Sequence, residues 1–282
     1  MNLEKTIKRG STILKENNIN SHLLDAELIL SNIIGVDREL LCLKNNFTIS
    51  KKILDKYISR IKRRTKKEPV AYIIGKKEFW NDNFLVNRST LIPRPETELL
   101  IYKVINFFKN KTINILDIGT GSGCILLSIL KELPFARGLG IDISGKAIRT
   151  AIRNSNKLNL LNRSKFKVSD INKFNSGKYN LIVSNPPYIP CNDIRKLSRD
   201  IINFEPLIAL NGGSDGLDLI KKVIYKSNIL LKKNGLLVIE IGFGQYKKVS
   251  NILKQQRFRE VYKVYDNNKN VRCIMSTKAD YL

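Results

Sequence analysis

Two stretches of this chain combine residue types and spacings that can do chemistry. The first is Asn185-Pro186-Pro187-Tyr188, directly after the apolar run YNLIV at 179–183. Proline cannot donate to a sheet ladder, so a strand ending here stops at Asn185, and two consecutive prolines leave a stiff platform with a polar tip. The second is LDIGTGSG at 116–123, which closes another apolar run and opens a helix-like stretch. Gly119, Gly121 and Gly123 let the backbone turn tightly and approach a ligand without Cβ clashes. Asp117 is expected to fix the loop by accepting backbone N–H groups. The spacing is GxGxG rather than the GxGxxG of dinucleotide binders.

The next two strand-like runs also end in acids. GLGIDIS delivers Asp142, and KFKVSD delivers Asp170. An acid at position 142 can accept hydrogen bonds from both hydroxyls of a ribose, and Asp170 falls where an adenine edge would lie. No Lys or Arg stands in the glycine loop, so a nucleoside without phosphates fits best. S-adenosylmethionine has that shape. Beside it, the side-chain oxygen of Asn185 and the backbone oxygen of Pro186 can each accept one N–H of an NH₂ group. Two fixed acceptors would aim a planar, poorly nucleophilic nitrogen at an activated methyl group. Pro187 adds rigidity, and Tyr188 can cover a flat substrate. An activated donor needs no imidazole base, which suits a chain whose only histidine is His22.

The elements that must position these residues can be read from periodicity. Residues 1–75 carry helical patterns: SHLLDAELILSNIIG stops at Gly35, and a second helix opens on Ser50 as N-cap and closes before Pro69. This predicts a small all-α bundle. Residues 76–95 alternate apolar and polar types around Asn81-Asp82-Asn83, which predicts a β-hairpin linker. From 96 to 282, short continuous apolar runs alternate with helical stretches, as in a parallel sheet covered on both faces. REVYKVYDNNKNVRCIMST reads as a closing antiparallel hairpin, without a glycine at its turn. The expected fold class is α/β, closing in a C-terminal antiparallel hairpin.

Composition narrows the partners. The formal net charge is +25, from 50 basic and 25 acidic residues, spread along the chain apart from RIKRRTKK at 60–67. Such an excess suits an RNA-rich partner or simply a Lys-rich surface. Four cysteines at 42, 124, 191 and 273 contain no CxxC, so neither a disulfide framework nor a metal site is expected. No apolar run approaches the ~20 residues that span a bilayer. A cytoplasmic protein without membrane contact is expected, and a monomer.

DAELIL, EPVAYIIGKKEFW, LIPRPETE, LDIGTGSG, IVSNPPYI, FEPLIAL and EIGFGQ together resemble the HemK/PrmC family of protein-(glutamine-N5) methyltransferases. The resemblance implies a Rossmann-like class I S-adenosylmethionine-dependent methyltransferase domain with a C-terminal antiparallel hairpin, in which Gly119, Thr120, Gly121, Ser122 and Gly123 hold S-adenosylmethionine with Asp117 and Asp142. It places Asp170 and Ile171 by the adenine and Asn185 beside both cofactor and substrate; some members have an aromatic residue where Ile171 stands. Asn185 to Tyr188 would hold the glutamine of a class I peptide chain release factor, with the helical domain helping to grip that partner. The RPET segment at 94–97 reads either as pocket lining or as a helix start with Pro95 in its first turn. The competing function is an amino-methyltransferase acting on adenine or guanine in DNA or ribosomal RNA, since a clamp for NH₂ accepts either. A chain that keeps the fold without the chemistry is a third reading.

Overall fold

The computed structural model describes residues 2–41 and 48–278, so Cys42 lies outside the described residues. Its strands are β1 (Lys76–Phe79), β2 (Asp82–Leu85), β3 (Asn114–Ile118), β4 (Arg137–Asp142), β5 (Ser164–Val168), β6 (Tyr179–Ser184), β7 (Leu231–Glu240), β8 (Phe258–Tyr265) and β9 (Val271–Lys278). Its helices are α1 (Leu3–Glu16), α2 (His22–Ile34), α3 (Lys51–Thr65), α4 (Val70–Ile74), α5 (Glu98–Phe108), α6 (Cys124–Glu132), α7 (Gly145–Lys157), α8 (Cys191–Ile194), α9 (Arg199–Phe204), α10 (Asp218–Leu230) and α11 (Tyr246–Gln255). The chain forms two compact units. One takes in residues up to Lys76 together with Ser198–Phe204, and the other takes in Lys77–Leu197 and the chain from Glu205 onward.

In the first unit, helix ends follow local chemistry. Asn2 caps α1 by accepting from Lys5 N at 2.9 Å, Ser50 caps α3, and Gly35 ends α2 in the left-handed region at φ 72°. Leu14, Ile29, Leu30, Tyr57 and Ile61 form its core. Part of the basic run is committed to bonds within this unit. Arg63 makes two bonds of 2.8 Å to Glu68, and buried Arg64 donates to Asp25 and to Asp200 of α9, both at 2.7 Å.

The second unit is built on a seven-stranded sheet ordered β5-β4-β3-β6-β7-β9-β8. Strands β3 to β7 pair in parallel, while β9 runs antiparallel to both β7 and β8. Side chains alternate between faces along a strand. Leu236 and Val238 therefore pack with Leu100, Ile101 and Val104 of α5 on one face. Leu237 and Ile239 meet Ile220 and Val223 of α10 on the other. This is a class I methyltransferase architecture: a mostly parallel sheet, helices on both faces and a closing antiparallel pair. The closing turn needs no glycine because Asp266 Oδ1 accepts from Asn268 N and Asn270 N at 2.9 and 2.8 Å, with Lys269 at φ 61°. The β1–β2 hairpin buries Phe79 and Phe84 in the same core as α5 and α6.

Candidate active site

Sheet topology gathers the singled-out residues at one edge. β3 sits where the strand order reverses, with β4 and β5 on one side and β6 and β7 on the other. A crevice outside the carboxyl ends of the strands forms at such a switch point. Ile118 is level with Ile141 and with Ser184, so the residues that follow them, Gly119, Asp142 and Asn185, leave the sheet together. A cavity of about 280 Å³ opens there. Gly119, Thr120, Gly121, Ser122, Asp142, Asp170, Ile171, Asn185 and Pro187 line it, whereas Asp117, Gly123, Pro186 and Tyr188 do not.

The glycine loop is held chiefly by β4. Gly119 N and Thr120 N both donate to Ile141 O, at 2.9 and 3.0 Å. Asp142 accepts from Gly121 N at 2.9 Å through Oδ2 and from Ser144 N at 2.8 Å through Oδ1. Burial pushes its carboxyl upward, and these backbone bonds oppose that shift. Asp117 is fully buried and accepts from the Thr120 hydroxyl at 2.6 Å, so it fixes the loop through a side chain as well as by position. Its Oδ1 has no partner, and burial pushes its carboxyl up to about 7. Gly123 has φ 81°, and a Cβ there would press on Leu127 and Ala151 at 3.1 and 3.2 Å, so its role is close helix packing. Asp170 uses Oδ1 to hold its own turn through Asn172 N at 2.8 Å, and Ile171 is buried beside it.

The second half of the site is the Asn-Pro-Pro-Tyr platform. Asn185 Nδ2 donates to Thr97 Oγ1 at 3.2 Å, and Pro186 is buried. Tyr188 has its hydroxyl 3.4 Å from Glu240 Oε1 and accepts from Arg272 at 3.4 Å, while its carbonyl accepts from Gln245 at 2.9 Å. Burial and the nearby Glu240 push the phenol up to about 12. The RPET segment satisfies both of its readings. Pro95–Thr97 form a 3-10 turn leading into α5, and Arg94 and Thr97 line the cavity.

The chain is similar to known proteins along nearly all of its length. Residues 5–75 match a family model described as "PrmC N-terminal domain", and residues 109–278 match one described as "Methyltransferase domain". A curated relative from Clostridium acetobutylicum, named "Release factor glutamine methyltransferase", is 36% identical over 99% of this chain and 99% of its own length. The chain belongs to the release factor glutamine methyltransferase family. A member from Buchnera aphidicola subsp. Schizaphis graminum is 36% identical over 99% of this chain and 100% of its own. Among solved structures, a methyltransferase from Pyrococcus furiosus shares the fold, with a TM-score of 0.54 at 14% identity, covering 79% of this chain and 98% of that one.

Membership in the family also frames what residue patterns alone did not reveal. Glu205 is buried and accepts from Ile92 N at 3.2 Å and from Arg94 at 2.7 Å, fastening FEPLIAL to LIPRPETE. Pro206, Ile208 and Ala209 thereby reach the cavity wall. Both segments carry the family resemblance, yet nothing in their spacing shows that they pair across 111 residues. Glu240, in EIGFGQ, was legible only as a family stretch.

Proposed function

We propose that this protein transfers a methyl group from S-adenosylmethionine to the side-chain amide nitrogen of the glutamine in the Gly-Gly-Gln motif of class I release factors. The observation that carries this reading is the state of Asn185. Its NH₂ is committed to Thr97, which leaves Oδ1 as an acceptor at the cavity that Asp142 and the glycine loop also line.

The residues present fit S-adenosylmethionine. Asp117 offers a buried carboxylate oxygen without a partner, which suits the nearby ammonium of an amino acid. A Cβ on Gly119 would meet nothing within 4 Å, so that backbone faces open space and can lie against a ligand. When bound, S-adenosylmethionine supplies a methyl group already activated on a sulfonium. Gly119, Thr120, Gly121 and Ser122 would form the cradle for the amino-acid part, with Asp117 and Gly123 holding the shape of the loop from behind. Each Asp142 oxygen keeps a lone pair beyond its backbone bond and takes a ribose hydroxyl. Asp170 and Ile171 flank the adenine, with Ile171 as an apolar wall.

Asn185 and Pro186 accept the two N–H groups of the glutamine amide and hold its nitrogen in line for transfer. Pro187 keeps the platform stiff, and Tyr188, fixed at both ends, backs it. Residues 96–282 carry transfer, 76–95 link, and the helical segment 1–75 recognises the release factor. No helix among the described residues is long and apolar enough to cross a membrane. Acting on release factors suits a cytoplasmic monomer, and its net charge of +25 suits weak contact with RNA.

Purified protein with methyl-labelled S-adenosylmethionine should be offered four acceptors: a release factor, the same factor with its Gly-Gly-Gln glutamine replaced, duplex DNA and ribosomal RNA. Label on the intact factor alone is the expected result. Label on nucleic acid instead overturns the reading.

A further inference from the structure

Glu240 is a carboxylate with no exposure to solvent. It follows Leu236 and Val238 on the face of β7 that packs against α5, where another apolar residue would be the cheaper choice. Strand register explains what it reaches. Ser184 pairs with Ile239, so Asn185 and Glu240 stand level at the ends of adjacent strands. Thr97, also buried, lies between them. It donates its hydroxyl to Glu240 Oε2 at 2.7 Å and receives Asn185 Nδ2 at 3.2 Å.

Counting protons fixes the direction of this relay. The Thr97 hydroxyl carries one proton, and the carboxylate takes it. Toward Asn185 the Thr97 oxygen then presents only lone pairs, so the amide must meet it with NH₂ and turn Oδ1 the other way. An asparagine amide is nearly symmetric in shape and opposite in chemistry at its two ends. Flipped, it would offer NH₂ to an incoming NH₂ and repel it.

We infer that Glu240, acting through Thr97, fixes which end of the Asn185 amide faces the substrate, and is the positioning residue that makes this clamp an acceptor of substrate N–H groups. The inference rests on the methyl-transfer reading above. A protonated Glu240 can instead donate to Thr97, whose own proton then turns to Asn185 Oδ1 and reverses the clamp. The titratable groups facing Glu240 are Arg272, Tyr188, Glu96 and Cys273. Burial is the main cause that pushes its carboxyl up to about 7, with the Thr97 bond and Arg272 opposing. Reversal on the acid side of neutrality follows.

The test uses Glu240→Gln, Thr97→Val, which keeps shape without the hydroxyl, and Thr97→Ser, which restores a hydroxyl. Both Glu240→Gln and Thr97→Val should lower kcat/KM for the release factor by about 10- to 100-fold, as loss of a hydrogen-bond partner that orients a metal ligand does in metal sites. S-adenosylmethionine affinity should fall by much less than kcat/KM, because neither residue bonds the glycine loop. Thr97→Ser should recover most of the loss. The acid limb of the wild-type pH profile should vanish in Glu240→Gln.

An independent readout needs no acceptor: solvent exchange of the Asn185 side-chain NH₂ by NMR, slow in wild type and Thr97→Ser and faster in the other two variants. That measurement separates failure of the relay from failure of the release-factor reading. Slow exchange and wild-type kcat/KM in Thr97→Val would overturn the inference. So would an equal loss of cofactor affinity, which would mark the pair as merely structural.

Discussion

A carboxylate sealed from water is costly until a cation meets it, and Asp117 is fully buried with one oxygen unpartnered. Its carboxyl is pushed up to about 7, above the ordinary value of 3.8. Between about pH 4 and about pH 7 the unliganded folded protein holds a proton that the unfolded chain has released, so stability falls as pH rises through that window. Asp117→Asn removes this titration, and calorimetric melting of the unliganded variant should depend less on pH there than wild type does. An ammonium bound beside Asp117 favours its ionised form. Cofactor affinity should therefore climb with pH through about 7 in wild type and climb less in the variant. Asp142 acts differently, since backbone amides already hold both of its oxygens. Asp142→Ala removes charge-assisted bonds worth about 1.5–3 kcal/mol each, so calorimetric titration should show S-adenosylmethionine binding weakened by at least about tenfold.

At the scale of elements, one buried side chain ties three pieces together. Asn154 of α7 accepts from Leu85 N at 2.7 Å and donates to Leu85 O and Ser122 O at 3.0 and 2.8 Å. It fastens the β1–β2 hairpin and the glycine loop to the same helix. Asn154→Ala strands buried backbone groups on both, so chemical denaturation should show a loss of about 2–4 kcal/mol. The parallel strands were legible in the sequence because burial on both faces makes them short unbroken apolar runs. Gly119, Asp142 and Asn185 were legible because each stands directly after such a run. The bond between Glu240 and Thr97 was not, since they lie 143 residues apart and meet only because the turn before α5 packs against the end of β7. The pairing of Glu205 was missed because its partners lie far away in the chain; the β8–β9 hairpin was read correctly, but not that an Asp266 side chain closes its turn in place of glycine.

For the molecule as a whole, part of the +25 net charge is committed to bonds within the fold. Within RIKRRTKK, Arg63 and Arg64 are committed to Glu68, Asp25 and Asp200, and Arg60 to Asn32. Arg64 joins α2, α3 and α9 within the first unit, although α9 comes far later in the chain. Arg64→Ala would leave Asp25 buried without its partner, and loss of one member of a buried pair costs about 3–5 kcal/mol. Thermal melting should show that unit destabilised, while Arg64→Lys, a single donor in place of a fork, should restore only part of the loss.

The central claim is that Asn185 directs a methyl group onto one amide nitrogen. Fragmentation mass spectrometry of a release factor, after incubation with S-adenosylmethionine and either wild-type protein or Asn185→Ala, tests it most directly. One added methyl on the Gly-Gly-Gln glutamine with wild type, falling by about 100-fold or more in rate with the variant, is the predicted result. A methyl group on any other residue, or an unchanged rate in Asn185→Ala, would contradict it.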